Sequence, residues 1–379
     1  MRSKKRTLSK NAIILIVVNM LLTTAVIICF LISASFKNML RSQQAAKAWA
    51  GQSGEHFSQI SVFLPQGSGF SEYMIRSIRE NVEKALVEAS ISTTDDRRLY
   101  TDAWSATGTV NVVGNTGTTA AQVFAVGGDY FLFHPLYLRD GSYFSPNDLM
   151  KDRVLLDEEL AWRLFGSVYL EGLQVSINNI PYYIAGVVSR ESDFASEKAY
   201  TGSAAIYMSY EALSEINGGS AEIISYEIVM PNPISGFAMN IMTNNFSSRE
   251  TIVENSERYA LSRIFDTIKS YGQRSMRIDG QVLPYWENAA IVIEDWLALL
   301  MILTIVCAVF PIICTLVYGR KLIIYLVKLC ISIIKRKIDE KHDRKAEEYR
   351  IANMEKLIIP GIEAIVREVQ EEREIRNPQ

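Results

Sequence analysis

Cysteine is scarce in this sequence of 379 residues. Residues 37–290 contain none, and the four cysteines are Cys29, Cys307, Cys314 and Cys330. That long segment therefore holds no disulfide, and a domain of about 250 residues buries enough surface to fold without one. No Cys/His cluster has the spacing of a zinc site, and the three histidines lie far apart in the sequence. We therefore expect no metal site.

An excess of basic residues is also missing. The chain has 39 Lys and Arg against 42 Asp and Glu, which gives a formal net charge of −3. Proteins that bind nucleic acid usually carry a basic surface, so we expect no nucleic-acid partner. The glycine-rich stretch at 114–119 lacks the Gly-Lys-Ser/Thr ending of a phosphate loop and indicates a hairpin turn. No set of nucleophile, general base and general acid is recognisable, so we predict no enzymatic activity, no catalytic residues and no cofactor.

Charge is absent from two long runs, residues 12–33 and 296–318. At about 1.5 Å per residue, each run is long enough to cross the hydrocarbon core of a bilayer, about 30 Å. We assign transmembrane helices to 12–35 and 294–319, the second with a kink at Pro311. The alternatives are a cleaved signal peptide for the first run, which is longer than the usual apolar core of about 7–15 residues, and a buried core helix for the second.

Flanking charge predicts the orientation of both helices. Five Lys or Arg precede the first run and six lie at 320–337 after the second, whereas Glu294 and Asp295 stand just before the second. Because basic residues collect on the cytoplasmic side, we expect a cytoplasmic N-terminus at 1–11, an extracytoplasmic domain at 36–290 and a cytoplasmic C-terminal region from residue 320. The expected location is therefore the cell (plasma) membrane, crossed twice.

Local patterns predict a mixture of helices and strands between the two runs. We expect helices over 72–90, with Met74, Ile78, Val82 and Leu86 inward, over the stretch that ends at Gly166, with Phe165 inward, and over 249–270. Residues 37–58 are expected to continue the first helix as a polar stalk. Strands are predicted at 59–65, 109–113, 121–126, 204–208 and 222–231, with a hairpin at 173–188 that turns at Asn178–Asn179. The fold class is α+β.

The C-terminal region has two expected parts. Residues 320–337 include a short apolar stretch, too short to span a membrane, which indicates an interfacial helix or a continuation of the second span. Residues 338–379 are a charged helical tail, with a narrow apolar stripe broken at Pro360–Gly361. The tail is either a solvated helix or a docking helix for a cytoplasmic partner.

Four stretches of the central region resemble, in order, motifs of one family. They are VGGDYF at 126–131, LYLRDGSYFSPND at 136–148, VLLDEELAWRLFG at 154–166 and EGLQVSINNIPYYIAGVV at 171–188. Together they resemble the extracytoplasmic core domain of MacB-type ABC transporter permeases, the FtsX-like superfamily. The family usually has four spans, and this sequence shows two. The resemblance therefore implies either a partial permease that pairs with a second permease chain or forms a homo-oligomer, or a relative that has lost transport.

The resemblance also implies a mechanism and a partner. In the family, a separate cytoplasmic ABC ATPase subunit drives the spans, which move the external domain in export or in force transmission. The ATPase grips a short cytoplasmic helix after the second span, which corresponds here to 320–337. The candidate coupling residues are Arg320, Lys321, Tyr325, Lys328 and Leu329. Their basic side chains can also bind the phosphates of membrane lipid, or do no more than anchor the span.

Other classes of protein remain open. Two spans around one external domain also describe a receptor, whose domain binds a ligand and whose tail recruits a cytoplasmic partner. The tail is too short for a kinase or cyclase domain, so such a receptor would need a partner to give an output. A membrane-anchored enzyme and a scaffold are further alternatives.

The predicted topology can be tested by labelling single cysteines. Ser68→Cys and Ser270→Cys should react with a membrane-impermeant thiol reagent on intact cells, because both positions lie in the predicted external domain. Ser3→Cys should react only after the cells are permeabilised. Protection of either of the first two positions on intact cells would overturn the topology.

Overall fold

The computed structural model describes residues 9–92, 98–200, 204–271, 277–278 and 281–376. The chain divides into two compact units. One is residues 25–305, and the other combines the chain up to residue 24 with the chain from residue 306. Two of the described helices are long and apolar enough to cross a membrane, one near the N-terminus and one towards the C-terminus.

The described elements alternate irregularly between helix and strand. The helices are α1 (Lys10–Lys37), α2 (Ala45–Ala50), α3 (Glu72–Glu88), α4 (Tyr130–Phe133), α5 (Glu158–Phe165), α6 (Phe194–Ala199), α7 (Tyr210–Ile216), α8 (Phe237–Asn245), α9 (Leu261–Ser270) and α10 (Tyr285–Arg376). The strands are β1 (Phe57–Phe63), β2 (Thr101–Val113), β3 (Thr118–Gly128), β4 (Tyr137–Gly141), β5 (Arg153–Asp157), β6 (Gln174–Ile177), β7 (Ile180–Ser189), β8 (Ala205–Ser209), β9 (Ile223–Pro231), β10 (Thr251–Glu254), β11 (Arg277–Ile278) and β12 (Gln281–Val282).

Ten strands form one mixed sheet in the order β10-β1-β9-β2-β3-β8-β5-β7-β4, with β6 paired to both β2 and β7. The pairings of β6 close a ring that runs β2, β3, β8, β5, β7, β6 and back to β2. Closure removes the free edges of these six strands. The sequence predicts most of the strands but not this closure, because it depends on the end of β2 meeting a hairpin about 60 residues later.

The sheet is buried on both faces. Along β8, Ile206 and Met208 join a cluster with α3, α5, α7 and α8, whereas Ala205 and Tyr207 join a second cluster with α2, α4, α6, α9 and the start of α10. Alternate residues of a strand point to opposite faces, so a strand covered on both sides has an unbroken apolar sequence. This explains why the sequence at 204–208 is apolar throughout.

Helix α5 confirms the prediction made from the stretch that ends at Gly166. Asp157 caps its first turn by accepting a hydrogen bond from the Leu160 N–H at 2.7 Å. Gly166 ends it in the left-handed conformation, with φ of 67°. Asp157 also accepts hydrogen bonds from the Arg190 guanidinium and, at 2.9 Å, from the Ala205 N–H. One buried carboxylate therefore joins β5 and α5 to the residue after β7 and to the first residue of β8.

The two predicted hairpin turns are also confirmed. Asn178 and Asn179 have φ of 52° and 64°, the left-handed pair that a tight two-residue turn requires and that Asn tolerates. The β2–β3 turn packs against the end of α5, where the Thr116 N–H donates to the Leu164 carbonyl at 3.0 Å. A side chain at Gly114 would begin 2.7 Å from Leu164 Cβ, so the turn can approach α5 this closely only with glycine.

Three local predictions are wrong, the first two because of contacts distant in sequence. Helix α1 ends at Lys37, since the amide of Gln59 binds the Ser42 carbonyl and the Ala45 N–H and holds a turn there. The predicted helix over 249–270 is strand β10 followed by α9, because residues 251–254 pair with β1 at the edge of the sheet. In α3, Ile75 is buried where Met74 was expected, and Met74 is 43% exposed.

Helix α10 is continuous for 92 residues. It passes through Pro360–Gly361, where the sequence interrupts the apolar stripe of the tail. The helix also has no break at 294, 319–320 or 337–338. The boundaries expected at these positions stay predictions: they concern which parts of one continuous helix lie in the membrane, at its surface and in the cytoplasm. A proline removes one backbone hydrogen bond, and the long helical segments on either side keep theirs.

The packing of α5 gives a stability prediction. Leu164 is fully buried, whereas Phe165, expected to point inward, is only partly buried at the edge of the same cluster. Leu164→Ala should therefore lower the free energy of unfolding by about 2–5 kcal/mol. Phe165→Ala should cost less, and Trp162→Ala, on the exposed side of α5, about 0.5 kcal/mol or less. The measurement is denaturant unfolding of the full chain in detergent; equal losses for Leu164→Ala and Trp162→Ala would mean that α5 is misplaced.

Candidate functional site

The first turns of α10 belong to the core of the domain. Residues 285–298, called here the foot of α10, lie in the compact unit that contains the sheet. One face of the foot is buried in the second cluster, through Tyr285, Trp286, Ala289, Ala290, Ile293 and Leu297. Spacings of three and four place these side chains on one side of the helix. The second apolar helix therefore starts inside the domain.

A buried ion pair fixes the foot. Arg258, in the segment between β10 and α9, donates to both carboxylate oxygens of Glu287, at 2.7 and 2.6 Å. Its Nε donates to Glu294 at 2.6 Å. The Arg258 and Glu287 side chains are each only 4% exposed. We call Arg258, Glu287 and Glu294 the Arg258 joint; it binds two successive turns of the helix through one guanidinium.

Charge keeps the joint ionised. Burial lowers the pKa of the Arg258 guanidinium, but Glu287 and Glu294 raise it more, so the pKa lies above its ordinary value. Burial raises the pKa of the Glu287 carboxyl above its ordinary value, and the Arg258 charge offsets only part of that rise. Because both oxygens of Glu287 accept hydrogen bonds from a permanently charged guanidinium, the pair is ionic. Removing Arg258 would leave the Glu287 charge buried without its cationic partner.

Hydrogen bonds continue from the joint into the sheet. Arg258 Nη1 donates to Asn255 Oδ1 at 3.3 Å, and Asn255 Nδ2 donates to Ser61 Oγ of β1 at 2.6 Å. Ser61 donates to Glu227 of β9 at 2.5 Å, and Glu227 also binds His134 Nε2. The His134 ring lies 4.3 Å from the Trp286 ring, measured between centroids, which brings the network back to the foot. The network therefore connects α10 to β1 and β9 by polar contacts.

The domain also has a cleft of about 1020 Å³ beside α3. Arg79 donates to both oxygens of Asp102, at 2.7 and 2.8 Å, and its guanidinium lies 5.4 Å from the centre of the Trp104 ring. Gly127, within the family-like stretch VGGDYF, leaves room for that ring, because a Cβ there would lie 2.2 Å from Trp104 Cε2. Burial, followed by the nearby Glu211, raises the pKa of Glu72 at the rim. The cleft therefore combines an aromatic wall with carboxylates.

The structure places the five sequence-predicted coupling residues on the surface of α10. They are Arg320, Lys321, Tyr325, Lys328 and Leu329, and all are exposed. Tyr325 is 62% and Leu329 is 43% exposed, and their separation of four residues places them on one side of the helix. This side is available for a partner. No group of three His, Cys, Asp or Glu in the described part of the chain is placed to hold a metal ion.

Sequence reasoning missed the Arg258 joint. Its members are 29 and 36 residues apart in the chain, and Arg258 stands in an irregular segment without a motif. One signal was present: Glu287 and Glu294 are seven residues apart, and so on one face, at the start of an otherwise apolar helix. Two carboxylates on the buried face of a helix require a cationic partner from elsewhere.

Comparisons with known proteins give the family. A family model described as the MacB-like periplasmic core domain matches residues 19–255, more than half of the chain. The fold is similar to the periplasmic region of MacB from Actinobacillus actinomycetemcomitans, at 19% identity and a TM-score of 0.38 over 57% of this chain and 93% of that chain. It is also similar to the extracellular domain of the ABC-type transporter YknZ from Gram-positive bacteria, at 16% identity and a TM-score of 0.35 over 52% and 99%. No curated protein sequence matches.

The geometry of the joint predicts that a single substitution lowers the free energy of unfolding more than the matching double substitution does. Arg258→Met should lower the free energy of unfolding by about 3–5 kcal/mol, because it leaves Glu287 charged and unpaired in the core. Arg258→Met with Glu287→Met should recover most of that loss. The control is Lys84→Met, which breaks an exposed pair with Glu88 and should cost less than about 1 kcal/mol. The measurement is denaturant unfolding of the full chain in detergent, and a single-variant loss no larger than the control would show that the pair does not hold the foot.

Proposed function

We propose, because the chain belongs to the family of the MacB-like periplasmic core domain, that it is a membrane permease-like subunit of an ABC transporter. Proteins of this family are permease-type and work with a cytoplasmic ABC ATPase. Two of the described helices are long and apolar enough to cross a membrane, which supports this proposal. In our proposal a separate ATPase moves the helices, and the external domain carries that movement to its own surroundings, in export or in force transmission.

The observation that carries this proposal is the way in which α10 enters the domain. A helix joined to a domain by a flexible linker would move without moving the domain. Here the foot contributes to the core, and the Arg258 joint ties it to the segment after β10 and, through Asn255, to β1. A shift of the foot must therefore either shift the sheet or break a buried ion pair, and breaking the pair is costly.

The proposed contact with the ATPase lies on α10 at residues 320–337. Tyr325 and Leu329 offer an apolar face to a groove of the partner, while Arg320, Lys321 and Lys328 bind acidic residues of the partner or lipid phosphates. In this arrangement both termini are cytoplasmic and residues 36–290 are extracytoplasmic, as the flanking charges predict. The tail beyond residue 338 is then a second possible contact for the same partner.

A second permease chain, or a second copy of this chain, is proposed to supply the spans that the family usually has and that this sequence does not show. Support comes from a groove of about 680 Å³ in the unit formed by the chain ends, lined by Asn19, Thr23, Thr315 and other residues. Small and polar side chains within a bilayer are typical of contacts between transmembrane helices. An amide such as that of Asn19 is costly there without a partner.

The cleft beside α3 favours a second candidate function, that of a receptor. Its aromatic wall and its charged lining, which includes Arg79, Arg98 and Lys151 as well as carboxylates, suit a ligand with both an apolar part and charged groups. In this alternative, ligand binding outside is reported through α10 to a cytoplasmic partner of the tail. The two functions differ in the partner that co-purifies, which is an ABC ATPase in the first and a kinase or regulator in the second.

The contact with the ATPase can be tested by co-purification. Tyr325→Asp with Leu329→Asp should abolish recovery of the ATPase subunit with the chain from solubilised membranes, because both changes place charge on the proposed apolar face. Insertion should be unaffected, since the apolar run at 296–318 is unchanged. Partners are identified and quantified by mass spectrometry.

The matched control is Ile351→Asp with Met354→Asp, which places the same charges on exposed positions of the tail. Loss of the ATPase with the first pair alone supports contact at 320–337. Loss with the second pair alone would move the contact to the tail. Recovery of a kinase or regulator with the wild-type chain, and of no ABC ATPase, would contradict the proposed function itself.

A further inference from the structure

Helix α6 lies level with the ends of the two apolar runs. The run in α1 ends at residue 33, and Phe36 follows one turn later. The run in α10 begins at Trp296. Phe194, the first residue of α6, stacks on Phe36 with ring centroids 6.4 Å apart and meets the edge of Trp296 at 5.5 Å. Three elements far apart in sequence thus bring aromatic rings together where both hydrocarbon-spanning segments end.

This aromatic cluster of Phe36, Phe194 and Trp296 is not a closed core. Phe194 and Trp296 are each 37% exposed, and Phe36 is partly buried. In water such exposure of large rings is costly. At the boundary between hydrocarbon and headgroups it is favourable, and tryptophan is enriched there.

A lysine completes the cluster. The Lys198 ammonium lies 4.1 Å from the centre of the Phe194 ring and 5.8 Å from that of Trp296, so it is held on the aromatic face. Of the acidic residues on the same element, Asp193 is engaged by the N–H groups of Ala195 and Ser196 as the helix cap. Glu197 is exposed. A long basic side chain beside aromatic rings suits the headgroup layer, where its charge reaches phosphate while its stem stays on apolar surface.

We propose that α6, with Phe36 and Trp296, is an interfacial anchor that sits in the membrane leaflet facing the domain and binds the phosphates of anionic phospholipid through Lys198. The partner is the lipid surface itself. The anchor sets the depth of the domain at the membrane, so that movement of α1 or α10 along the membrane normal is opposed by the headgroup layer. This is independent of which side of the membrane the domain occupies.

The first test measures depth. The full chain, with its four native cysteines replaced by serine, is reconstituted in vesicles of phosphatidylcholine and phosphatidylglycerol and carries a nitroxide at Glu197→Cys or at Glu88→Cys. Collisions with oxygen, which concentrates in the bilayer, and with a water-soluble nickel chelate are compared. The label at 197 should favour oxygen, and the label at 88, on the exposed side of α3, should favour the chelate. Equal chelate access at both positions would overturn the anchor.

The second test measures lipid preference in the chain with its native Glu197. Spin-labelled phosphatidylglycerol and phosphatidylcholine are compared for association with the protein surface. Lys198→Gln should weaken the preference for phosphatidylglycerol about fivefold, as expected for one lysine near an anionic surface. Lys84→Gln, an exposed lysine of α3, should leave the preference unchanged. An unchanged preference in Lys198→Gln would overturn the role of phosphate, even if the depth measurement agrees.

Discussion

The placement of α10 in the domain depends on one guanidinium. Arg258 meets Glu287 and Glu294 in a region from which water is excluded, and its two-pronged contact with Glu287 permits only one position of the helix. Burying such charges is expensive, and apolar residues of similar size often give equal stability. What the ion pair adds is a defined register: sliding α10 by one residue would move Glu287 about 100° around the helix and leave the guanidinium unpaired. We infer that this register is the reason for charge in this core.

Other features of the domain follow from the same docking. The sheet is covered on both faces, and the foot of α10 covers part of the second face together with α2, α4, α6 and α9. Trp286 packs on His134, whose partner Glu227 belongs to the central strand β9. The domain and the start of the second apolar helix are therefore built as one body. A permease-like subunit that transmits movement needs such a body, because a flexible connection would absorb the displacement.

Sequence reasoning was most successful where the signal is local. The helix that ends at Gly166 and the turn at Asn178–Asn179 are set by a few neighbouring residues, and both were predicted. Strand β10 was misread as helix because its extended form is fixed by β1, almost 200 residues away. The closed ring and the Arg258 joint were missed for the same reason. The five residues at 320–329 came from resemblance to the family; the structure shows their exposure, and their role remains a proposal.

The most direct measurement is the distance between nitroxides at Tyr73→Cys, on α3, and Leu299→Cys, just beyond the foot of α10, in the full chain without its native cysteines. Both positions are exposed, and both lie in the unit that holds the sheet. If the joint makes the domain and the helix one body, pulsed electron–electron double resonance should give a single narrow distribution of distances between the two nitroxides. That distribution should broaden or shift in the Arg258→Met, Glu287→Met double variant, which removes the ion pair without leaving a lone arginine or Glu287 charge. A broad distribution in the parent chain, or an equally narrow one at the same distance in the double variant, would contradict the account.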